Sequence, residues 1–495
     1  MSDPTRAHGD SVPWRRDLLW LLLGFGALHF LFLGSLPLAN PDEARYGGIA
    51  REMTVVGDWV TPRLNAVPYF EKPPLVYWTV AASRLLFGPG EFAARLTPAL
   101  FGLGGILLVY AAGRRLWGRL AGLAAAIVLG TSLLHFALSR ILLLDMTVSA
   151  LMSATLVCFL LGVREPPGAR RRWLFLGLYA SAALATLAKG LIGVLIPGAV
   201  MFLWLLVFNQ WRRLLPMHLP SGLLVFFAIA APWHVLAAQR NPEWARFYFV
   251  HEHWERFTTT AHGRFEPWWF FAPILLLGLF PWTGFVAGAV REAIAGGWAR
   301  RKENADVWFL LTWAAFVFLF FSKSQSKLIP YILPVLPPLA LLTGAWLARR
   351  WEDRASAALR VGLGASVFFC GLMAAGLLWY ALKPGAILSD AGSVKEPIVS
   401  AVEAALTGNL PFVGGHPLAG SEKKGVENAD ADLFVDRLVI LTRTDRTLPM
   451  AIEILRTFWQ ALGSRVHEMG PSDHDRVLAM TSHLPHLVVD HVPRP

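Results

Sequence analysis

The 495-residue chain is 55% hydrophobic and 16% charged, and its mean hydropathy is +0.48. Soluble domains carry about 25% charged residues, so this composition favours one large membrane domain with a small soluble one over several soluble domains. The net charge of +11 does not indicate nucleic acid, because most lysines and arginines stand in short loops between apolar runs. Cys158 and Cys370 lie inside apolar runs, which excludes a disulfide framework and a Cys-x-x-Cys metal site.

Long apolar runs continue up to Leu382. The first run follows Trp14–Asp17 and lacks a small-residue cleavage site, so it predicts a retained span and not a signal peptide. Runs long enough to cross a bilayer, about 17–25 residues, predict about eleven spans. They lie near residues 18–37, 94–113, 120–138, 146–163, 173–188, 190–208, 219–238, 268–290, 307–322, 328–348 and 360–381. We therefore predict an all-α polytopic membrane domain over residues 1–382 and a soluble α/β segment over residues 383–495.

Basic clusters fall in alternate loops and assign the two sides of the membrane. They occupy residues 15–16, 114–119, 169–172, 211–213, 299–302 and 349–351. Since lysine and arginine are enriched in cytoplasmic loops, these loops are predicted to be cytoplasmic. The loops on the other side span residues 38–92, 139–145, 239–267 and 322–327. These outer loops hold nearly all the unusual acidic and basic residues.

The first outer loop contains two helical patterns, at residues 42–57 and 73–88, that are too short or too polar to span. They fit helices that lie in the membrane interface. Asp42 and Glu43 begin the first of them. A helix N-terminus favours carboxylates, so a first-turn pair is one interpretation. The other is a carboxylate held at the membrane surface as a general base.

Further candidates stand at the outer ends of the spans. Glu71 and Lys72 precede a double proline between aromatic residues, so they form either a surface ion pair or a site where Lys72 binds a lipid phosphate. Asp145 begins a span, where an unpaired carboxylate is costly, and acids at membrane depth are functional candidates by default. Lys189 lies between two apolar runs at the same face.

Two other outer loops carry possible ligands. His251 belongs to a His-x-His spacing, which can bind a metal but is a weak signal by itself. Arg256 follows it and is a natural partner for phosphate. Lys327 and Tyr331 stand at the outer entry of a proline-rich span. Acids and phosphate-binding cations on one face suggest a transferase that acts on a lipid-linked phosphate.

The segment "NPDEARYGGIAREM" and the later "VPYFEKPPLVYW" resemble the first outer loop of the lipid A aminoarabinose transferases. These enzymes belong to the GT-C superfamily, which includes the protein O-mannosyltransferases. The resemblance continues in order through "LLLDMTV", "AKG", "HEHWERF" and "SKLIPYILPVLPPLAL", and covers residues 15–381. It implies a GT-C fold and an inverting enzyme with a polyprenyl-phosphate sugar as donor and no nucleotide-sugar site.

The resemblance also implies roles for the candidate residues. Asp42 would be the base or the carboxylate that orients the acceptor, and Asp145 a second acid of the site. The residues that would bind substrate are Glu43, Arg45, Lys72, Lys189, Arg256, Lys327 and Tyr331, with Lys72 and Arg256 on the donor phosphate. Glu71 and His251 would be paired ligands of a divalent metal, zinc or magnesium.

A transferase of this kind would lie in the bacterial inner membrane with its active face in the periplasm. Its partners would be the bilayer, the lipid-linked donor and an acceptor, and no nucleic acid. The residues leave open which sugar is carried, and whether lipid A, another glycan or a protein accepts it.

After Leu382, short apolar strands alternate with amphipathic helices, a soluble α/β pattern. The segments "SDAGSVKEPI", "PFVGGHPLAGSEKKGVENADADLF" and "DHDRVLAMTSHLPHL" resemble the middle part of prephenate dehydrogenase, an NAD-dependent enzyme of tyrosine biosynthesis. The resemblance implies that Ser393 and His416 contact the substrate, with His416 at the ring hydroxyl. It also implies that His483 and His486 belong to that site.

No G-x-G-x-x-G motif precedes residue 383, so no NAD site is expected. We therefore expect an inactive dehydrogenase fragment joined near Leu382 to a shortened transferase, by a fusion that is natural or an artefact of assembly. Two alternatives stay open: an oxidoreductase on a membrane anchor, and a transporter. Paired broken helices would favour the transporter, but the sequence shows no such internal symmetry.

Overall fold

The computed structural model describes residues 14–39, 41–248, 266–295, 297–298, 301–351, 356–381, 387–405, 411–419 and 433–479. The chain divides into two compact units, Met1–Leu372 and Met373–Pro495. The described part of the first unit is mostly helical, and that of the second is α/β. The predicted boundary after residue 382 lies beyond this division, at the end of a long helix, and stays a prediction.

The helices follow the apolar runs of the sequence. In chain order they are α1 (Trp14–Phe30), α2 (Asp42–Val56), α3 (Leu75–Phe87), α4 (Glu91–Trp117), α5 (Arg119–Thr131), α6 (Leu133–Ser139), α7 (Leu144–Gly162), α8 (Ala169–Lys189), α9 (Ile192–Phe208), α10 (Leu219–Arg240), α11 (Phe271–Gly278), α12 (Thr283–Ala295), α13 (Ala305–Lys323), α14 (Leu336–Arg350) and α15 (Ala357–Ala381). Two 3-10 segments, Trp211–Met217 and Ile329–Val335, precede α10 and α14. Every predicted span overlaps one of these helices or a consecutive pair of them.

Within the described residues, five segments are long and apolar enough to cross a membrane: α4, α7, α10, α13 and Ile329–Arg350. The number rises to seven if two bent pairs, α5 with α6 and α11 with α12, each count as one span. Shorter apolar helices are α3, α9 and the first part of α15. The chain is therefore a multi-pass membrane protein. The larger count from the sequence, about eleven, includes helices that are shorter or more polar.

Two predicted spans are not straight. The run at 268–290 forms α11 and α12, which are bent by 109°. Pro281 stands at this break, where it lacks the N–H that would continue a helical hydrogen-bond ladder. The run at 120–138 forms α5 and α6, bent by 65°, with extended backbone at Ser132. Hydropathy reports that a run is apolar, but it does not report where the run bends.

Helix α5 lies between α4 and α14, and glycines allow these helices to approach closely. A Cβ atom on Gly122 of α5 would lie 2.6 Å from the carbonyl oxygen of Tyr110 in α4. A Cβ atom on Gly344 of α14 would lie 2.5 Å from the amide nitrogen of Ala125 in α5. Small residues at helix contacts are a principal means of packing in membranes. These contacts give the membrane unit a dense central scaffold.

The first outer loop forms helices α2 and α3 at the predicted positions, with a hairpin between them. Strands β1 (Arg63–Leu64) and β2 (Val67–Pro68) pair antiparallel. Their turn residues Asn65 and Ala66 both have left-handed backbone, as a two-residue hairpin requires. The carboxylate of Glu52 in α2 accepts hydrogen bonds from both turn amides, at 2.6 and 3.0 Å. The sequence pattern does not predict this hairpin, because the bond that fixes it comes from a distant helix.

Ion pairs join several helix ends where the sequence has its basic clusters. Asp17 of α1 is 2% exposed and lies 2.7 Å from Arg119 and 3.3 Å from Arg114, and it accepts a hydrogen bond from Tyr110. Further pairs join Glu165 to Arg115 and Arg170, Asp306 to Arg164, and Glu292 to Arg349 and Arg350. These arginines therefore hold helices together, in addition to the role that the sequence predicts for basic loops in setting the orientation of the chain across the membrane.

The C-terminal unit contains a mixed four-stranded sheet in the order β3-β4-β5-β6. Its elements are β3 (Leu388–Asp390), α16 (Glu396–Ala405), β4 (Phe412–Pro417), β5 (Leu438–Thr442), α17 (Pro449–Ala461), β6 (Arg465–Met469) and α18 (Pro471–Leu478). The outer pairs of strands are parallel and the central pair is antiparallel. Val413, Val439 and Leu441 of the sheet pack against Ala451 and Ile452 of α17. The predicted α/β character is confirmed.

The change Asp17→Asn should destabilise the membrane unit, because two arginines lose their shared carboxylate. Breaking a buried ion pair costs about 3–5 kcal/mol, and the partial exposure of Arg119 reduces the expected loss to about 2 kcal/mol. Thermal unfolding of the purified protein in detergent measures it. Arg16→Gln, at an exposed neighbouring position, should unfold like the unchanged protein. A D17N protein of unchanged stability would contradict the assignment.

Candidate functional site at the outer ends of the helices

Three of the predicted acids converge on one tyrosine. Tyr46 of α2 is partly buried, and burial is the main reason that its pKa is raised. The negative charges of Asp42, Asp145 and Glu71 raise the same pKa further. The three acids lie in the first turn of α2, the first turn of α7 and the segment before α3, and all of them act electrostatically on Tyr46.

A positive charge lies beside these acids. Arg45 Nη2 is 3.6 Å from Asp42 Oδ1, and the Asp42 side chain is 44% exposed. Burial opposes the charged form of Arg45, but Tyr69 and Asp42 outweigh it and hold the arginine pKa above its usual value. Tyr69 in turn donates a hydrogen bond to Glu71 Oε2 at 2.7 Å. Asp42 is thus accessible to a ligand, and a permanent cation lies next to it.

Asp145 also belongs to a second cluster, which includes the end of α8 and the 3-10 segment Ile329–Val335. Lys189, the last residue of α8, forms an ion pair with Asp145, and the two side chains are only 10% and 13% exposed. The Lys189 ammonium lies 4.6 Å from the centre of the Tyr331 ring, which is a cation–π contact. The sequence places each of these residues at the outer face, but it does not predict that they pair.

Two other predicted cations contact backbone carbonyls. Lys72 Nζ donates to the carbonyl oxygen of the preceding residue, Glu71, at 2.9 Å, so its ammonium group lies beside the backbone of that acid. Lys327 is 5% exposed and donates to the carbonyl oxygen of Glu266 at 2.7 Å. Burial holds the pKa of Lys327 below its usual value, and the Glu266 carboxylate partly opposes this. Both lysines are therefore fixed in place near the outer ends of the helices.

Glu43 is held by the protein itself. Arg95 of α4 donates to both Glu43 carboxylate oxygens, at 2.8 and 2.7 Å, and the Glu43 side chain is 3% exposed. The backbone amides of Ala39 and Leu142 donate to the same carboxylate at 2.8 and 2.7 Å. Arg95 also donates to the carbonyl oxygens of Leu33, Leu36 and Pro37. These contacts favour a structural role for Glu43 over the predicted contact with substrate.

Three tyrosines that are not among the residues predicted from the sequence also lie at the site. Tyr46, Tyr69 and Tyr77 belong to one apolar cluster, and the rings of Tyr46 and Tyr77 are 6.0 Å apart. The Tyr77 side chain is fully buried, and its hydroxyl has no hydrogen-bond partner among the described residues. The signal in the sequence is that each tyrosine stands within a few residues of a candidate acid.

Other predicted residues of this site lie outside the described residues: His251 and Arg256. In the part of the chain that the structure describes, no group of three or more His, Cys, Asp or Glu side chains is arranged to hold a metal. Glu71 uses Oε2 to accept the Tyr69 hydrogen bond. A carboxylate has two oxygens, so Oε1 is chemically able to bind a cation.

The C-terminal unit contains a separate chain of polar residues. His416 Nδ1 lies 2.9 Å from His474 Nε2, and His474 Nδ1 lies 2.7 Å from Asp475 Oδ1. The backbone amides of Lys395 and Glu396 donate to the Asp475 carboxylate. His474 is completely buried. His474 is not among the residues predicted from the sequence, although it lies in the "DHDRVLAMTSHLPHL" segment that resembles prephenate dehydrogenase.

The other predicted residues of the C-terminal unit are Ser393, His483 and His486. Ser393 is exposed in the loop after β3. His483 and His486 lie outside the described residues. Their predicted roles therefore stay predictions.

Known proteins match most of the chain. The undecaprenyl phosphate-alpha-4-amino-4-deoxy-L-arabinose arabinosyl transferase of Edwardsiella ictaluri is 34% identical over 342 residues, which is 69% of this chain and 61% of that protein. The enzyme of the same name from Aeromonas salmonicida is 34% identical over 372 residues, 74% of this chain and 66% of that one. The membrane unit resembles the aminoarabinose transferases. The chain spans less than two thirds of the length of these relatives.

The fold agrees with this resemblance to aminoarabinose transferases. The crystal structure of ArnT from Cupriavidus metallidurans bound to undecaprenyl phosphate has a TM-score of 0.65 to this chain, with 34% identity. The match covers 74% of this chain and 64% of that one. Residues 71–235 also match the family described as dolichyl-phosphate-mannose-protein mannosyltransferase. The predicted GT-C relationship of the membrane part is confirmed.

A second family matches the C-terminal part. Residues 372–468 match the family described as prephenate dehydrogenase, nucleotide-binding domain. The matched segment includes Ser393, His416 and the four-stranded sheet except its last residue, Met469, so the second predicted resemblance is also confirmed. It begins within α15, upstream of the predicted start at residue 383.

Protonation of Glu43 should weaken the protein in acid. Burial raises the pKa of this carboxyl, but Arg95 and the two backbone amides outweigh burial and hold the pKa below its ordinary value of 4.5. Because the folded pKa is the lower one, the stabilisation is present above the ordinary value and is lost as the pH falls through the folded pKa. Thermal unfolding across this range should show a smaller acid loss for Glu43→Gln than for the unchanged protein.

The matched control for this change is Glu91→Gln, which alters the first turn of α4. It should lose stability in acid as steeply as the unchanged protein does. An identical acid profile for E43Q and the unchanged protein would show that Glu43 is not the titrating group.

Proposed function

We propose that the membrane unit is a glycosyltransferase that moves a sugar, aminoarabinose as the leading candidate, from a polyprenyl-phosphate donor to lipid A or a related acceptor. The observation that carries the proposal is the convergence of three acids around Tyr46, beside cations from the same outer face. The resemblance to ArnT of Cupriavidus metallidurans, which was crystallised with undecaprenyl phosphate, supports a lipid-linked donor.

The proposed reaction is a single displacement at the sugar C1 atom. The bond from C1 to the donor phosphate oxygen breaks, the acceptor oxygen bonds to C1 from the opposite side, and the polyprenyl phosphate leaves with the electron pair. The configuration at C1 is thereby inverted. Negative charge grows on the leaving phosphate, and cations fixed in advance stabilise such charge best. Lys72 and Arg256 are the proposed phosphate ligands.

Asp42 is the proposed catalytic carboxylate because its side chain is 44% exposed, whereas the Asp145 side chain is 13% exposed. A hydroxyl acceptor must lose a proton as it attacks, and Asp42 would accept it. An acceptor that is already an ionised phosphate needs no base, and Asp42 would then orient it. Asp145 is proposed to hold Lys189 against Tyr331, so that both line the substrate cavity.

The remaining candidates have supporting roles in the proposal. Arg45 and Lys327 are proposed to bind the anionic parts of the substrates. A divalent metal is proposed at Glu71, with His251 as its second ligand. When bound, such an ion would add positive charge near the donor phosphate. Glu71 itself accepts the Tyr69 hydroxyl, which orients the carboxylate.

The proposed location is the bacterial inner membrane, with the site on the periplasmic face. Basic residues at one end of the helices support this orientation, since positive loops stay in the cytoplasm. Helix α8 carries both signals: Arg170, Arg171 and Arg172 lie in its first turn, and Lys189 of the site ends it. We place the end of the transferase part at residue 382.

The change Asp42→Asn should reduce sugar transfer by about 100-fold or more, the usual contribution of a positioned acid or base. The assay is transfer from a polyprenyl-phosphate sugar in membranes that contain the full chain. Arg51→Gln, at an exposed position on the same helix, should leave the rate unchanged. Equal activity of D42N and the unchanged protein would refute the site assignment.

The C-terminal unit has a second candidate function. The His416–His474–Asp475 contacts, within a segment matched to prephenate dehydrogenases, support a site for a prephenate-like acid. The chain lacks a G-x-G-x-x-G motif, so we expect no hydride transfer to NAD. The full chain incubated with NAD and prephenate should form no NADH. NADH formation that disappears in His416→Asn would overturn this part of the proposal.

A further inference from the structure

A second cavity lies at the opposite end of α8 from the candidate active site. Its volume is about 600 Å³, and Arg171, Arg172, Trp173 and His218 are among its lining residues. Helix α8 has 21 residues, so at 1.5 Å per residue its ends are about 30 Å apart. This is about the thickness of the hydrocarbon core. The cavity is therefore separate from the site at Lys189 and lies at the other membrane surface.

The cavity has positive charge that is not neutralised by a carboxylate of the described residues that line it. None of its lining residues is acidic. Among the described residues neither Arg171 nor Arg172 forms an ion pair, and Glu165 instead binds Arg115 and Arg170. The Nε atom of Arg171 is buried and has no hydrogen-bond partner in the described part of the chain. A buried, unpaired guanidinium N–H favours an anionic ligand.

The walls of the cavity are fixed by packing. Tyr179 of α8 donates a hydrogen bond to the Met217 carbonyl oxygen at 3.2 Å, and the rings of Phe175 and His218 are 6.4 Å apart. These contacts hold the first half of α8 against the start of α10. Gly168 precedes α8 and provides no side-chain cap. Gly168 and Ala169 line the cavity, so the start of this long helix adds backbone N–H groups that have no side-chain cap.

We propose that this cavity binds the phosphate head group of an anionic phospholipid from the cytoplasmic leaflet. Arginine binds phosphate with two parallel hydrogen bonds, and basic pockets between membrane helices on this side are suited to anionic head groups. Trp173 is 71% exposed, as expected for a tryptophan at head-group depth. Leu176 lines the same cavity and provides an apolar surface for the start of an acyl chain.

The test uses the full chain purified in detergent and measures thermal unfolding during lipid titration. Phosphatidylglycerol should raise the unfolding temperature in a saturable way. Phosphatidylcholine with identical acyl chains should not, because its head group is zwitterionic. Inorganic phosphate at the same concentrations should also have no effect. An equal shift with phosphatidylcholine, or a full shift with inorganic phosphate alone, would overturn a site for an anionic lipid.

Variants locate the effect. The double change Arg171→Gln and Arg172→Gln should weaken the apparent affinity for phosphatidylglycerol about 25-fold, since each cation near an anionic lipid contributes about a fivefold factor. The matched control is Arg15→Gln with Arg16→Gln, which removes the same charge from exposed positions in another basic cluster. The control should bind like the unchanged protein, and equal binding by the R171Q/R172Q protein would refute the proposal.

A charge-conserving pair covers the case in which the double glutamine variant folds poorly. Arg171→Lys with Arg172→Lys keeps both charges but loses the planar fork that binds phosphate. Its affinity should therefore lie between those of the unchanged and the glutamine proteins. The lysine variant could instead bind about 25-fold more weakly than the unchanged protein, as expected when both charges are lost. If it did so while still unfolding cooperatively, the result would count against recognition of head-group charge.

Discussion

The buried ion pair between Glu43 and Arg95 positions the rest of the outer site. It joins the start of α2 to α4, and the amide of Leu142 connects the same carboxylate to the segment before α7. Asp42 immediately precedes Glu43, and Asp145 lies three residues after Leu142. One carboxylate therefore connects the segments that carry Asp42 and Asp145. A partly satisfied pair would be costly at this depth, and here both carboxylate oxygens and the guanidinium are used.

The same principle of pairing applies to the other acids. Asp145 is paired with Lys189, Asp42 lies beside Arg45, and Glu71 accepts the Tyr69 hydroxyl. Asp42 combines a nearby cation with a side chain that is 44% exposed, whereas the Asp145 side chain is 13% exposed. The site thus contains an accessible acid beside an acid that holds its neighbour in place. This division of roles distinguishes the outer site from the ion pairs around Asp17, where the acid is buried and the arginines are the more exposed partners.

Much of this arrangement can be predicted from the sequence, because hydropathy and basic loops depend on local composition. The helices of the outer loop and the outer position of Asp42, Asp145 and Lys189 are of this kind. The hairpin at Asn65, the bend at Pro281 and the role of Glu43 are not predictable in this way. The hairpin depends on Glu52 of the preceding helix, and hydropathy does not report the bend at Pro281. The role of Glu43 depends on Arg95, 52 residues along the chain, which looks in the sequence like one more charge at the start of an apolar run.

The pairing of acids with cations has a consequence for electroneutrality. Asp42, Glu71 and Asp145 face Arg45, Lys72 and Lys189, so these six groups sum to zero formal charge before substrate arrives. A lipid-linked phosphate diester brings one negative charge into surroundings of low dielectric constant, where an uncompensated charge is costly. The six groups alone do not compensate that charge, and under the proposed function Lys327, Arg256 and a metal at Glu71 are the groups that would. Donor binding would then strengthen the binding of such a metal, and the metal would strengthen donor binding by the same factor.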